Sequence, residues 1–459
     1  MINNYLLNPR SIVVVGGSDD ISKPGGKVLK NILEGEFRGD LYVINPRAKE
    51  VQGIRSYSSP GDIPETDLAI IAIAARYCRD TVDILAHKKQ TGAFIILSAG
   101  FGEESKEGAK LEKEIVDIID SIGGCLIGPN CIGVLTPFYN GVFTTPIPEL
   151  DSSGVDFISG SGATSVFIME SVIPNGIRFS SVFSVGNSAQ IGVEDVLKYM
   201  DESYESGNSS AVKLLYIESI SKPDMLLRHA SSLIRKGCRI AAIKAGSSEA
   251  GSRAASSHTG AMASPDVAVD ALLRKAGIIR CQGRHELAAV AAVLMSPLPS
   301  GKKMAIVTHA GGPAVMLTDA LSKEGIEIPV IKGKKAKALL EKLYPGSSVA
   351  NPIDFLATGN AEQLASILDA CENDFDIIDA ITVIFGSPGL FPVDDVYAVL
   401  HEKMRSGKKP VYPVLPSLIT AGREVDDFIA SGNVNFPDEV VFANAFSKVL
   451  NTRRMDKPD

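Results

Sequence analysis

Short runs of apolar, often β-branched residues alternate with glycine-containing turns and longer segments of helical periodicity along the whole chain. Nearly continuous apolar runs of this kind are typical of strands in parallel sheets that helices cover on both faces. The pattern therefore predicts an α/β fold of the doubly wound type, repeated along the chain. The predicted strands are 11–15, 41–44, 68–73, 94–97, 155–158, 179–185, 212–217, 240–243, 304–307 and 381–384.

Breaks in this pattern predict three domains, at 1–137, 148–295 and 302–451. A glycine- and proline-containing connection separates the first two domains. The segment 296–301 separates the last two, because its two prolines and one glycine cannot continue a helix. A length of 459 residues agrees with this division at roughly 100–200 residues per domain.

Composition narrows the class of protein. The 46 basic and 54 acidic residues give a net charge of −8, which argues against a protein that coats nucleic acid. The six cysteines form no C-x-x-C pair, so we interpret them as buried thiols in a reducing compartment and expect a cytoplasmic protein without a zinc site. The apolar stretches are far shorter than the ~20 residues that span a bilayer, so no membrane association is expected.

The first predicted strand leads through Gly16, Gly17 and Ser18 into a glycine loop and then a helix, an arrangement that can bind phosphate. The second strand leads to Arg47, where an NAD-binding protein would need an acid. A cation at this place favours a phosphate-rich nucleotide such as NADP or coenzyme A. A plain turn is the alternative.

Two further strand-to-helix junctions are rich in glycine. One, at 159–165, contains two glycines and four hydroxyl residues, which can bind a phosphoryl group or simply cap a helix. The other, at 308–314, contains Gly311, Gly312 and a proline suited to a first helical turn. Three such loops in one chain indicate phosphate chemistry more strongly than any one of them.

Few histidines are available for catalysis, since the chain has only six. His258 follows a run of small polar residues at 245–257 that predicts a long loop, so it could carry a group between sites or be an exposed loop histidine. His309, in the third glycine loop, could contact phosphate or merely pack. Glu218 ends a predicted strand and could orient an imidazole, or it could be a capping or surface acid. We interpret the other four histidines as surface or packing residues, namely His87, His229, His285 and His401.

Several motifs together resemble a known family. They are 127–133 (IGPNCIG), 159–162 (SGSG), 216–218 (YIE), and 244–246 (KAG) leading to 257–261 (SHTGA). In order and spacing they are similar to the α subunits of the ADP-forming acetyl-CoA synthetases, the nucleoside-diphosphate-forming acyl-CoA synthetases related to succinyl-CoA synthetase. The resemblance covers nearly the whole chain. It implies a Rossmann-like CoA-binding domain followed by two flavodoxin-like domains, the first carrying the histidine and the second a ligase domain.

The resemblance also implies roles for individual residues. His258 would be phosphorylated and carried on a swinging loop, and Glu218 would hold its imidazole. Phosphate would be bound by Asn130, Ser161, Gly162, Gly311 and Gly312. The implied CoA contacts are Gly17, Ser18, Lys27, Asn45, Arg47, Ile73, Ser98 and Gly100. The first loop departs from the succinyl-CoA synthetase pattern because it is lengthened at 19–22.

The implied reaction converts acyl-CoA, such as acetyl-CoA, with ADP and phosphate reversibly into free acid, ATP and CoA. The chain has no G-x-x-x-x-G-K-S/T motif, and three α/β domains use its length. ADP and Mg²⁺ are therefore expected on a separate ATP-grasp β subunit, in an α2β2 heterotetramer. The alternatives are a non-catalytic CoA-binding regulatory protein, an acetyltransferase scaffold, or an NADP-dependent dehydrogenase.

Overall fold

The computed structural model describes residues 1–259, 265–387 and 389–452, with the backbone alone at 255–259. Within these residues the chain forms two compact units. The first consists of Met1–Glu170 and Arg178–Gln282, and the second of Ser171–Ile177 and the chain from Gly283 onwards.

The first sheet of the first unit has seven strands in the order β3-β4-β2-β1-β5-β6-β7. All neighbours are parallel except β3 and β4. The six parallel strands have the spatial order of a Rossmann fold, which reverses between β1 and β5. Its elements are α1 (Asn4–Leu7), β1 (Ser11–Val15), α2 (Pro24–Glu34), β2 (Asp40–Ile44), β3 (Glu50–Val51), β4 (Ile54–Tyr57), β5 (Leu68–Ile71), α3 (Cys78–Lys88), β6 (Ala93–Ile96), α4 (Lys106–Ser121) and β7 (Cys125–Ile127).

The second sheet, also in the first unit, has the order β14-β13-β12-β10-β11-β8-β9. Its five parallel strands follow the flavodoxin order, and the antiparallel hairpin β8–β9 extends the edge beside β11. The first predicted domain boundary, at 137, falls inside this hairpin. Its elements are β8 (Gly133–Thr136), β9 (Tyr139–Val142), β10 (Leu150–Ser159), α5 (Gly162–Val172), β11 (Phe179–Ser184), α6 (Val193–Glu202), β12 (Val212–Ile217), α7 (Pro223–Arg235), β13 (Arg239–Lys244), α8 (Glu249–Thr259), α9 (Asp266–Ala276) and β14 (Ile279–Cys281).

The second unit contains a parallel sheet in the order β16-β15-β17-β18. Its helix α10, which the sequence assigned to the second predicted domain, packs here against α16. The elements are α10 (Arg284–Met295), β15 (Met304–Thr308), α11 (Gly311–Lys323), α12 (Lys334–Leu340), β16 (Ile353–Asp354), α13 (Ala361–Asn373), β17 (Ala380–Ile384), α14 (Asp394–Ser406), β18 (Val411–Val414), α15 (Gly422–Ala430) and α16 (Glu439–Asn451).

The central strands are buried on both faces, as the apolar runs predicted. All five residues of β1, β15 and β17 are buried, so neither face of these strands is open to water. An ion pair joins two central strands of the second sheet: Nζ of Lys213 lies 2.5 Å from Oδ2 of Asp156. The predicted α/β doubly wound fold class is confirmed.

The segment before His258 differs from the prediction. A long loop was expected from 245 to 257, but Glu249–Thr259 is helical. Ser248 caps this helix by accepting the N–H of Gly251 at 3.0 Å, and Arg253 pairs with Glu249 one turn away at 3.0 Å. The loop prediction is wrong for these residues. Their small side chains form no apolar stripe, so the pattern of apolar positions gave no indication of the helix.

Candidate functional site

Polar residues at the carboxyl ends of β10 and β12 line a cavity of about 280 Å³. The strand order of the second sheet reverses between these two strands, which is where open α/β sheets bind ligands. Four of the predicted site residues lie in the lining, namely Asn130, Ser161, Gly162 and Glu218. The fold thus brings together residues that lie in three separate segments of the sequence.

Hydroxyl groups tie the loop between β10 and α5. Oγ of Ser159 donates to the carbonyl oxygen of Ser161 at 2.8 Å and accepts the N–H of the same residue at 3.1 Å. Ser165 donates to that carbonyl at 2.6 Å. The loop is therefore held in one conformation where α5 begins at Gly162, and a helix amino terminus attracts phosphate through its N–H groups.

Glu218 follows β12 and lies beside this loop. A Cβ added at Gly160 would stand 3.9 Å from Cβ of Glu218. Burial raises the pKa of Tyr216, and the negative charge of Glu218 raises it further, whereas a hydrogen bond from Thr164 lowers it. Burial lowers the pKa of Lys244 on the next strand, against the charges of nearby carboxylates that include Glu218. Glu218 is thus part of a partly buried charged cluster at the end of the sheet.

The predicted partner of Glu218 lies outside the described side chains. The backbone of His258 belongs to α8, which follows β13 and therefore starts from the same edge of the sheet as Glu218. The contact between the Glu218 carboxylate and the His258 imidazole stays a prediction.

Asn130 connects the cavity to the first sheet. It has a left-handed backbone with φ of 56°, and its N–H donates to the carbonyl of Ser98 at 2.9 Å. Its Nδ2 donates to Oδ1 of Asn187 at 3.3 Å. A predicted phosphate ligand is therefore hydrogen-bonded directly to Ser98, a predicted CoA contact.

Asn187, which was not predicted from the sequence, lines the cavity. It bridges two acids, one in the loop after β6 and one in α4. Its Nδ2 donates to Oε2 of Glu103 at 2.5 Å and to Oε2 of Glu112 at 3.0 Å. The other oxygen of Glu103 accepts the backbone N–H groups of Gly100 at 2.7 Å and Phe101 at 3.2 Å. A continuous chain of hydrogen bonds thus runs from the Gly100 loop to the cavity.

The two acids differ in their pKa. Burial opposes ionisation of Glu103, but hydrogen bonds from Asn187 and from backbone N–H groups outweigh it and lower the pKa of Glu103 below its usual value. Burial raises the pKa of Glu112, and the charge of Glu103 raises it further. The hydrogen bonds from Asn187 and Gly102 oppose this rise but do not outweigh it. The Glu103 carboxylate is therefore the better stabilised anion of the pair.

The eight predicted CoA contacts lie along the carboxyl edge of the first sheet. They follow β1 (Gly17, Ser18), begin α2 (Lys27), and follow β2 (Asn45, Arg47), β5 (Ile73) and β6 (Ser98, Gly100). Nδ2 of Asn45 donates to the Gly17 carbonyl at 2.9 Å, and Oγ of Ser98 donates to the Ile73 carbonyl at 2.5 Å. The side chain of Arg47 is exposed. The set surrounds the point at which this sheet's strand order reverses.

Gly311 and Gly312 begin α11 in the second unit. The preceding Thr308 repeats the arrangement of Ser159, because its Oγ1 donates to the Ala310 carbonyl at 2.8 Å and accepts the Ala310 N–H at 3.0 Å. The ring of His309 packs against that of Phe385 at an interplanar angle of 37°, with ring centroids 4.5 Å apart. Burial lowers the pKa of His309, although the Ile384 carbonyl and the charge of Asp354 oppose the shift. This histidine packs in the sheet edge as a largely neutral ring.

Three charged residues of the cavity were not found from the sequence: Glu194, Asp195 and Lys222. Oε1 of Glu194 accepts the backbone N–H groups of Ser221 at 2.8 Å and Lys222 at 3.0 Å. Both carboxylate oxygens of Asp195 lie within 2.8 Å of Nζ of Lys222. The sequence contained one indication of them, namely that Glu194 and Asp195 form an acidic pair in the first turn of the amphipathic helix α6.

No group of three or more His, Cys, Asp or Glu side chains among the described residues is arranged to hold a metal ion. None of the described helices is both long and apolar enough to cross a membrane. All six cysteines are buried free thiols.

Two families of domains match the chain. The CoA binding domain matches residues 10–137. The succinyl-CoA ligase like flavodoxin domain matches residues 152–294.

Curated relatives cover most of the chain. The α subunit of acetate–CoA ligase (ADP-forming) II from Pyrococcus furiosus is 35% identical over 425 residues, which is 91% of this chain and 90% of that protein. Acetate–CoA ligase (ADP-forming) I from Archaeoglobus fulgidus is 34% identical over 83% of this chain, but the match spans only 54% of that longer protein.

A solved structure has the same fold over nearly the full length. Acetyl-coenzyme A synthetase 1 of Candidatus Korarchaeum cryptofilum, in complex with phosphate and ADP, superimposes with a TM-score of 0.86 at 28% identity. The superposition covers 97% of this chain and 96% of that one.

Proposed function

Because the chain belongs to the family of ADP-forming acetate–CoA ligase α subunits, we propose that it is the acyl-transferring and phosphate-carrying half of such a ligase. The observation that carries the proposal is the cavity at the carboxyl edge of the second sheet, which gathers Asn130, Ser161, Gly162 and Glu218. The comparisons support the catalytic interpretation. They lend no support to a regulatory or scaffold protein.

The chemistry proceeds in three transfers. A phosphate oxygen attacks the thioester carbonyl of acyl-CoA, the C–S bond breaks, and CoA leaves as the thiol with an acyl phosphate at the cavity. The imidazole of His258 then attacks phosphorus, and the carboxylic acid leaves as the P–O bond breaks. The phosphohistidine finally transfers its phosphoryl group to ADP. Every step is reversible.

The chain's own groups supply positioning and charge stabilisation, which dominate catalysis of phosphoryl transfer. We assign phosphate and acyl phosphate to the loop Ser159–Gly162 and to Asn130. Glu218 is assigned to hold one imidazole nitrogen of His258, so that the other nitrogen is free to attack. Gly311 and Gly312 are assigned to a second phosphate-binding helix start.

CoA is assigned to the reversal point of the first sheet. The family match at residues 10–137 supports this placement. Ser98 supports it further, because its carbonyl accepts the N–H of Asn130, so a predicted CoA contact is hydrogen-bonded to a predicted phosphate ligand. The three domain boundaries at 1–137, 148–295 and 302–451 are part of the same proposal.

ADP and Mg²⁺ are assigned to a partner subunit. Relatives that are named as α subunits support the existence of a partner. The length of the Archaeoglobus relative supports it as well, because this chain spans only about half of that protein. An ATP-grasp β subunit in an α2β2 assembly is the proposed arrangement. A reducing compartment, the cytoplasm, is consistent with six buried free thiols.

The test is phosphorylation of the chain. The complex with the partner subunit is incubated with acetyl-CoA and labelled phosphate, and an acid-labile, base-stable label is expected on the chain. The variant His258→Asn should lose the label, while the matched control His285→Asn, in α10, should keep it. Glu218→Gln should slow labelling at His258. Label retained in His258→Asn, or none in the intact complex, would overturn the proposal.

A further inference from the structure

One wall of the cavity has no part in the phosphate chemistry. It consists of Leu97, Cys131, Ile132, Phe143 and Val193, all apolar and four of them at most 5% exposed. This wall adjoins the phosphate loop, because a Cβ at Gly162 would stand 3.1 Å from Cγ2 of Ile132. An acyl group bonded to phosphate at α5 would therefore lie against apolar side chains.

The thiol in this wall behaves as an apolar group. Burial raises the pKa of Cys131 to about 12, so it is protonated at neutral pH. Its Sγ lies 3.4 Å from the carbonyl of Ile96. Cys131 therefore supplies a small neutral surface to the acyl side of the cavity.

Among the described residues, the charged groups in the lining are three carboxylates and one ammonium group: Glu194, Asp195, Glu218 and Lys222. Glu194 is 4% exposed and holds the loop that carries Lys222 through two backbone N–H groups. The ammonium of Lys222 lies 2.7 and 2.8 Å from the two oxygens of Asp195. The cation of this lining is thus already paired within the first unit.

Resting on the function proposed above, we infer that the Asp195–Lys222 pair determines acyl specificity. With Lys222 neutralised, the cavity accepts an uncharged acyl group on its apolar wall and rejects an acyl group with a second carboxylate. Such a carboxylate would enter beside three acids, and the described lining residues offer it no free cation. Burying an unpaired charge is unfavourable. Rejection by an unpaired charge is a common source of specificity.

Asp195 can be changed without removing its structural hydrogen bond. Its Oδ2 accepts the N–H of Gly192 at the start of α6, and an asparagine carbonyl can do the same. Asp195→Asn therefore frees the Lys222 ammonium while it keeps the helix cap. Asp195→Glu retains the charge and serves as the conservative variant.

The experiment measures kcat/KM for succinyl-CoA and acetyl-CoA in the complex with the partner subunit. We expect the succinyl-to-acetyl ratio to rise about two- to fivefold in Asp195→Asn, which is the size of the effect of a freed, partly exposed charge. The double variant Asp195→Asn/Lys222→Met should lose the gain, and Asp195→Glu should keep the wild-type ratio.

Two outcomes would overturn the inference: an unchanged ratio in folded Asp195→Asn, or an equal gain in the double variant. Affinity of the isolated chain for both CoA esters, measured by calorimetry, gives a second readout that needs no turnover. It should show the same change in preference. Failure of the proposed function would look different, because the wild-type complex would then form no phosphohistidine from acetyl-CoA.

Discussion

Glu103 offers the sharpest test of the link between the two sheets. One of its oxygens accepts two backbone N–H groups of the Gly100 loop, and the other accepts the Asn187 amide. In Glu103→Gln only one end of the side chain can still accept. The new amide N–H₂ must then point at an N–H donor, either in the loop or on Asn187.

The size of the effect follows from these contacts. Leaving a partly buried donor without an acceptor costs about 1–3 kcal/mol. If the loop must adopt its present conformation to bind CoA, that cost corresponds to roughly a 5- to 150-fold loss of affinity. Because Glu103 is only half-buried and water can replace part of the loss, we expect about tenfold.

Calorimetric titration of CoA into the purified chain measures the change. Glu107→Gln is the matched control, because Glu107 lies in the exposed first turn of α4 and makes the same change of charge. Its CoA affinity should equal that of the wild type. An affinity within twofold of wild type for Glu103→Gln, in a variant that melts normally, would show that the Gly100 loop is not a CoA contact.

Two further predictions concern stability. Lys213→Met should lower the free energy of unfolding by about 3–5 kcal/mol, because it leaves the buried Asp156 carboxylate without its cation. Adding Asp156→Asn should restore most of that loss, as measured in thermal and urea melts. A Lys213→Met variant as stable as the wild type would refute the reasoning. His309 has a folded-state pKa below its unfolded value, so its full contribution to stability is present above about pH 6.5 and is lost as pH falls towards the folded pKa. His309→Asn should therefore flatten the fall in melting temperature between about pH 6.5 and 5, and an unaltered pH profile would contradict the assignment.

Strands and helices were not equally visible in the sequence. Each of the ten predicted strands lies on a strand of the structure, because buried parallel strands are continuous apolar runs. The sequence did not predict six short strands of two to four residues, because so few positions show no clear pattern: β3, β4, β7, β14, β16 and β18. The hairpin β8–β9 was interpreted as a connection because its glycine and proline neighbours resemble a linker.

The same distinction holds within the site. Glycine loops and the acid after β12 could be found from the sequence because each directly follows an apolar run. Asn187 could not be found this way, since its three side-chain partners lie 57–84 positions away. Asp195 could not be found this way either, since the Lys222 ammonium that binds both of its oxygens lies 27 positions later.

The sequence by itself determined the repeated α/β fold and the strand ends at which ligands can bind, because apolar runs and glycine turns are local properties of the chain. Only the tertiary structure decided which of those ends share one cavity and which charges in it are already paired. The physical reason is that pairing depends on strand order and on distances between side chains, which the spacing of residues along the chain does not specify.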